Sequence, residues 1–384
     1  MITHEATYIP DRDAFEFAKT GLRRFLNVGF VTEQITRNHN VPPKYQKFAR
    51  RQAEQIRYCL IQAHEYMIAA KSVSLATKPL LLYYSAMSFA LAEILFKLDG
   101  NHNLEKARGD NAHHGLVFRC DVAGTFHLSL EDAALRLRAR PLSKQGGIRF
   151  GTFNLWHSIS RECPIFGPGT NYLPNGTTEG FFQMVAGASD DAMPLMPDDG
   201  ITLLHCFQNT PQMKSLLNHL RMDVSVARTR FHVSTRHQNR FEMQLIVQPD
   251  SPQKLSKLYE KLTFHPNTFE QISFTEFRSG ISIKTSWGDD NPLGPARYPN
   301  GIQHDTQDVY FCTDNDALNE FGVLYCGLYI LGNYARYFPD QWMKDVENSS
   351  QLALATEEFL RICEERLPII ILSELILSRV LIRK

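Results

Sequence analysis

Residues 80–96 read Leu-Leu-Leu-Tyr-Tyr-Ser-Ala-Met-Ser-Phe-Ala-Leu-Ala-Glu-Ile-Leu-Phe. A helix built from this stretch is apolar on nearly every side and needs cover all round. A membrane span needs about 20 predominantly apolar residues, and a charge such as Glu93 inside it is costly. The run has 17 residues, so a buried core helix is expected. Residues 367–382 form a second such run, of 16 residues, with Glu374 and Arg379 inside it. The two must cover each other in one bundle, and no membrane contact is expected. Thr77 as N-cap and Pro79 in the first turn suit the start of the first helix, and Gly100 suits its end.

Working outward, Tyr45, Phe48, Ile56, Leu60, Ala63 and Met67 recur at three- and four-residue intervals, which predicts an amphipathic helix over 44–72. Lys44, Lys47, Arg50, Arg51 and Arg57 along it read as a solvated face. Helical periodicity returns at 315. It predicts helices over 315–337, 352–366 and 368–383, the first closed by Phe338-Pro339 and the last two divided at Pro368. Between 116 and 314, Gly and Pro punctuate short β-branched or alternating runs. Residues 224–235 and 241–248 flank a polar turn and read as a hairpin, with further strands at 281–287 and 308–313. Short helices are expected at 131–140 and 210–220. The fold class is therefore mainly α with an α+β insertion: N- and C-terminal helices form a bundle that a β-containing region interrupts. The expected divisions are an N-terminal arm (1–43, with a helical pattern at 12–25), the N-terminal segment of the helical bundle (44–115), the projecting insertion (116–314) and the C-terminal segment of the bundle (315–384).

Lys plus Arg number 41 and Asp plus Glu 41 in 384 residues, so the net charge is zero. That balance excludes a uniformly basic nucleic-acid coat or an acidic tail and leaves room for local patches. The seven cysteines are widely spaced with no C-x-x-C pair, which argues against a disulfide framework and a zinc site. No basic segment followed by an apolar one opens the chain, so a cytoplasmic setting is expected. Gly-Lys-Ser/Thr phosphate loops, GxSxG, HExxH and GxGxxG are all absent, and neither a metal nor a cofactor is expected.

Three segments together carry a family likeness. Lys78-Pro-Leu-Leu-Leu-Tyr-Tyr-Ser-Ala-Met, running on to Ala92-Glu93-Ile94-Leu95, resembles the central helix of the YaaC-like family. Ala112-His113-His114-Gly115-Leu116 resembles its His-Gly step, and Tyr329-Ile-Leu-Gly-Asn-Tyr-Ala-Arg-Tyr-Phe-Pro-Asp-Gln-Trp342 its C-terminal helix and turn. The resemblance implies a fold and no particular reaction. On it rests the expectation of a prokaryotic binding or scaffold protein, a component of antiviral defence. Its expected partner is another protein, a second copy of the chain, or nucleic acid.

The alternative is a metal-independent ribonuclease. Arg108 and His113 stand at the Arg-x4-His spacing of the HEPN nuclease motif, with His114 adjacent. Histidine can take the 2′-hydroxyl proton near neutral pH, and an arginine fork can stabilise the phosphorane. Against this, Gly109-Asp110-Asn111 favours a turn, and His114-Gly115 can serve simply to close the loop after the central helix. Arg228, Arg230, Arg236 and Arg240 form a basic stretch with interleaved aromatics, suited to a nucleic-acid backbone. A ligand-binding or structural corner is expected at Arg336, Tyr337, Asp340 and Trp342. Glu93, costly if buried alone, has Arg336 as its leading candidate partner.

Overall fold

The computed structural model describes residues 4–9, 14–100, 104–106, 113–121, 124–160, 165–172, 178–185, 194–236, 240–247, 271–277, 280–287, 301–304, 308–312 and 317–382, with the backbone alone in most strands of the two larger sheets. The helices in chain order are α1 (Ala14–Arg23), α2 (Val28–Asn38), α3 (Gln46–Lys71), α4 (Lys78–Lys97), α5 (Leu130–Leu135), α6 (Thr152–Ile159), α7 (Leu203–Gln208), α8 (Lys214–His219), α9 (Glu320–Tyr337), α10 (Pro339–Glu347) and α11 (Gln351–Ile376).

Helix α4 is the all-round apolar stretch, and it packs against α3, α6, α9 and α11. Leu82, Ala86, Phe89, Ile94 and Leu95 are buried on its different sides. It is long and apolar enough to cross a membrane, yet its surface is taken up by neighbouring helices. Pro79 occupies its first turn as expected, but the Thr77 side chain makes no capping bond. At its other end Gln52 of α3 donates its side-chain amide to the carbonyls of Leu95 and, at 3.1 Å, Leu98, occupying acceptors that a helix end leaves open.

The mainly α architecture with a β-containing insertion is what the chain adopts, with several local differences. Helix α9 begins at Glu320 rather than 315, because the Asn319 side chain caps it by accepting the Gly322 N–H at 3.0 Å. Helix α10 was not anticipated. Pro368 does not divide the last helix: α11 runs through it from Gln351 to Ile376. An internal proline costs about 3 kcal/mol, but Leu367, Ile369, Ile370, Ile371, Leu372 and Leu375 are all buried around it and together outweigh that cost. The chain then turns at Leu377, in the left-handed region at φ 53°, and Ser378–Ile382 is a strand rather than a helix.

Three sheets occur among the described residues. In the first, β13 (Ser378–Ile382) pairs in parallel with β1 (His4–Ile9), which continues to β4 (Ile165–Tyr172) and β5 (Thr178–Val185). In the second, β7 (Val226–Arg236) and β8 (Arg240–Val247) form the expected hairpin, flanked by β12 (Asp308–Cys312) with β11 (Gly301–His304), and by β10 (Gly280–Trp287) with β9 (Gln271–Phe277). The third is small: β2 (Leu116–Cys120), β3 (Leu137–Pro141) and β6 (Ile201–Thr202). The helix expected over 131–140 is thus half helix, α5, and half strand, β3.

The described residues of 116–160 and 194–226 pack into the helical core rather than projecting from it. Trp156, Phe153, Leu203, Phe207 and Leu217 belong to the same buried core as α4 and α9. The N-terminal arm joins it too, through Ala18, Phe25, Val31 and Ile35.

Candidate functional site

The His-Gly step is built by two close-packed backbones. Gly115 has φ +85°, and a Cβ there would lie 2.8 Å from the Phe153 nitrogen. Gly151, also at positive φ, faces Gly115 so closely that neither position has room for a side chain. This approach lets the carbonyls of His113 and His114 accept the N–H groups of Thr152 and Phe153, at 2.8 and 3.0 Å, in the first turn of α6. Asn154 adds a bond from its amide to the Gly115 carbonyl at 2.7 Å. The segment is rigidly held, so the His114 ring has a defined place.

That place is a cleft of about 500 Å³ between the start of α4, β2 and the end of α9. The Tyr83 hydroxyl lies 2.8 Å from His114 Nδ1. Arg336, in the last turn of α9, donates from Nη1 to the Tyr84 hydroxyl at 3.3 Å. Its guanidinium also lies 5.2 Å from the centre of the Tyr337 ring, which is 60% exposed. Tyr329 donates to the Leu116 carbonyl at 2.8 Å and fixes β2 against α9. Arg119 of β2 lines the cleft from the other side. None of the described residues that line it is an acid.

Electrostatics follow from this placement. Burial, then Arg336 and His113, hold His114 below the ordinary histidine range, so its imidazole is neutral at pH 7. Burial raises the Tyr83 hydroxyl well above its usual value and pushes Tyr329 up to about 12. The cleft therefore presents two permanent cations, a neutral imidazole, neutral phenols and one exposed aromatic ring, that of Tyr337.

The family model described as YaaC-like Protein matches residues 17–131 and 175–375. The chain belongs to the YaaC-like family. Among curated proteins and among solved structures, nothing matches it. Two of the segments that carried the likeness, the His-Gly step and the Tyr329–Trp342 corner, meet in this YaaC-like cleft, and the third supplies Tyr83 and Tyr84.

The other expected site residues of the YaaC-like chain are distributed as follows. Arg108 lies outside the described residues. His113 turns toward Phe150, with ring centres 5.3 Å apart. Asp340 accepts from the neighbouring Gln341 amide at 2.7 Å. Trp342 is buried, donates to the Ala76 carbonyl at 3.1 Å and packs on Tyr334, so it anchors α10 against the turn before α4. Arg228, Arg230 and Arg236 fall at alternate positions of β7, and Arg240 is paired with Arg236, so the register puts all four on one sheet face. Their side chains lie outside the described residues.

Glu93 does not pair with Arg336. It is buried and bonds Lys97 Nζ at 2.7 Å and the Trp156 indole N–H at 2.9 Å, while Lys97 also reaches Glu374 at 2.8 Å. The reason is position: Glu93 lies nine residues beyond Tyr84 on α4, about 13 Å by helical rise, while Arg336 sits at Tyr84.

Tyr83, Tyr84, Tyr329, Asn333 and Arg119 were not anticipated as site residues. A signal existed for most of them. Tyr329, Asn333 and Arg336 stand at i, i+4 and i+7, one face of a helix, and Tyr83-Tyr84 places two hydroxyls side by side in an otherwise apolar run.

Proposed function

We propose that this YaaC-like protein is a cytoplasmic nucleic-acid-binding protein whose cleft takes one nucleotide unit, with a base on the exposed Tyr337 ring and a phosphate at Arg336 and Arg119. The single observation that carries this reading is an open cleft of about 500 Å³ that combines two arginines and exposed tyrosine with no acid among its described lining residues. Arginine forks suit phosphate, and ring stacking holds a base without demanding its identity. Calorimetry with uridine monophosphate, against inorganic phosphate and uridine, tests it. The expected result is monophosphate binding that exceeds both fragments and drops about tenfold in Arg336→Gln, as loss of a charge-assisted pair implies. No heat with the monophosphate would remove the reading.

A second reading, metal-independent RNA cleavage, is favoured by one observation: His114 and Arg336 share the cleft. For His114 to act as base, Nδ1–H must donate to Tyr83, which leaves Nε2 free to take a 2′-hydroxyl proton. Tyr83 permits that tautomer, because its own hydroxyl faces the Met87 sulfur at 4.0 Å. Cleavage of RNA but not DNA, abolished in His114→Ala, is the expected result.

A further inference from the structure

A second cleft, also of about 500 Å³, lies next to the first. Val117 and Arg119 line both. The second is completed by Arg140 and Arg149, the Gly147 turn and Asp198.

The sheet register explains how the arginines come together. Arg119 is paired with Arg138, and Val117 with Arg140, across the β2–β3 ladder. Directly opposed residues share a face, as do alternate residues of one strand. Arg119, Arg138 and Arg140 therefore stand on one face, and Leu137 and Ala139 on the other are buried in the core. Like charges directly opposite destabilise a sheet, so this clustering has a cost within the fold itself.

Arg138 and Arg140 are oriented by backbone carbonyls rather than by carboxylates. Arg140 donates to the Asp198 carbonyl at 3.0 Å and Arg138 to the Asp199 carbonyl at 3.4 Å, so both backbone oxygens steer guanidinium groups across the sheet. Arg149 alone has a carboxylate, that of Asp198 at 2.7 Å, and this acid is 93% exposed. The acid side of the pair is held in water, so a phosphate can take its place on Arg149 at little cost. Arg119 makes no ion pair or side-chain hydrogen bond among the described residues. Where a Cβ would stand on Gly147 there is nothing within 4 Å, so the turn leaves open space beside the arginines.

We infer that the ligand continues from the first cleft across the outer face of β2 and β3 into the second. On this inference, which rests on the cleft reading above, the protein binds a single-stranded polynucleotide several nucleotides long, with Arg119 as the shared contact. Single strands are favoured because only an unpaired base offers a free face to the exposed Tyr337 ring of the first cleft. RNA and DNA share the required chemistry.

The test is fluorescence anisotropy on the full chain with labelled oligouridylates and oligothymidylates of two and eight nucleotides, across a salt series. The octamer is expected to bind at least about tenfold more tightly than the dinucleotide, with a log–log salt slope near −0.7 per phosphate contacted. Arg138→Gln/Arg140→Gln should weaken the octamer about tenfold and reduce the slope magnitude by about 1.4, with the dinucleotide little changed. Because those arginines also steer the 197–200 turn, Asp198→Asn serves as a second variant. It frees Arg149 and should tighten octamer binding. Preference for uridylate would assign RNA and preference for thymidylate DNA, and either supports the path. Dinucleotide and octamer affinities that are equal, with both variants silent, would overturn the inference and leave the first cleft intact. No binding of either oligomer to the folded wild type would overturn the cleft reading as well.

Discussion

The indole N–H of Trp156 donates to Glu93 Oε2 at 2.9 Å, joining a helix from the middle of the chain to the only acid of the central helix. The other carboxylate oxygen of Glu93 holds Lys97, which holds Glu374 in turn, so one buried ammonium serves two carboxylates. Burial raises the Glu93 carboxyl, Lys97 opposes that, and Glu374 adds to it. Burial alone would lower Lys97, but Glu374 and Glu93 outweigh it and hold the ammonium protonated.

Lys97→Met should therefore destabilise the fold by about 3–5 kcal/mol at neutral pH, the usual cost of stranding buried charge. The deficit should shrink as pH falls, because protonated carboxyls no longer need the cation. Urea unfolding at pH 7.5 and 5 checks both expectations.

Asp345 is fully buried and accepts from Thr125, from Tyr334 at 3.1 Å and from Ser350 at 2.6 Å. In Asp345→Ala the Thr125 and Tyr334 hydroxyls, 2.6 Å apart, can satisfy only one donor between them, and Ser350 has no carboxylate to donate to. Two buried hydroxyls thus lose their acceptor, and a loss of about 3 kcal/mol is expected. Asp345→Asn keeps an acceptor in place and should lose less. Thermal unfolding of the two variants side by side provides the comparison.

His157 is buried and bonds the Ala317 carbonyl at 2.7 Å. Burial lowers its pKa against the raising effect of that carbonyl, and Arg149 lowers it further. The unfolded chain takes up this proton near 6.5, whereas the folded chain resists. The contribution to stability is thus whole above 6.5 and is lost as pH falls through 6.5 toward the depressed value. Relative to His157→Asn, which cannot titrate, the wild type should lose stability between pH 7.5 and 5.5. Equal slopes for the two would show that His157 takes up its proton as readily in the fold as outside it.

His114 should titrate below 6.5 in an NMR pH series, and Arg336→Gln should move its midpoint upward, since a cation beside the ring is removed. The melting temperature of that variant should stay within about 2 °C of wild type, because Arg336 is exposed and its bond to Tyr84 is long. An unmoved midpoint would separate the two side chains in solution.

The central helices were legible because their apolar residues leave no alternative to burial, and the hairpin because β-branched alternation brackets a polar turn. The stretch 131–140 misleads for a local reason. Glu131-Asp132-Ala133-Ala134-Leu135 are consistent with a helix, and the alternation Arg136-Leu137-Arg138-Ala139-Arg140 that marks a strand begins within the same window. Reading it as helix scatters arginines that the strand collects on one face. Glu93 shows the other limit. Lys97 stands four residues on, at a spacing that pairs on a helix and that the choice of Arg336 passed over, while Trp156 and Glu374 come from distant segments that only the packed bundle brings within reach.

The pairing of β1 with β13 sets residues more than 370 positions apart side by side, from Glu5 with Ser378 to Ile9 with Ile382. On a ribosome, the strand made first waits for the strand made last, roughly 20–75 s at ordinary elongation speeds. Its other edge is met earlier, by Ile165 and Phe166, so the nascent sheet grows outward from one side while the β13 side stays open. An open strand edge recruits any extended neighbour, including the same strand of a chain on the adjacent ribosome. Expression yield should therefore respond to translation rate and to holdase chaperones more than the stability of the finished molecule would suggest.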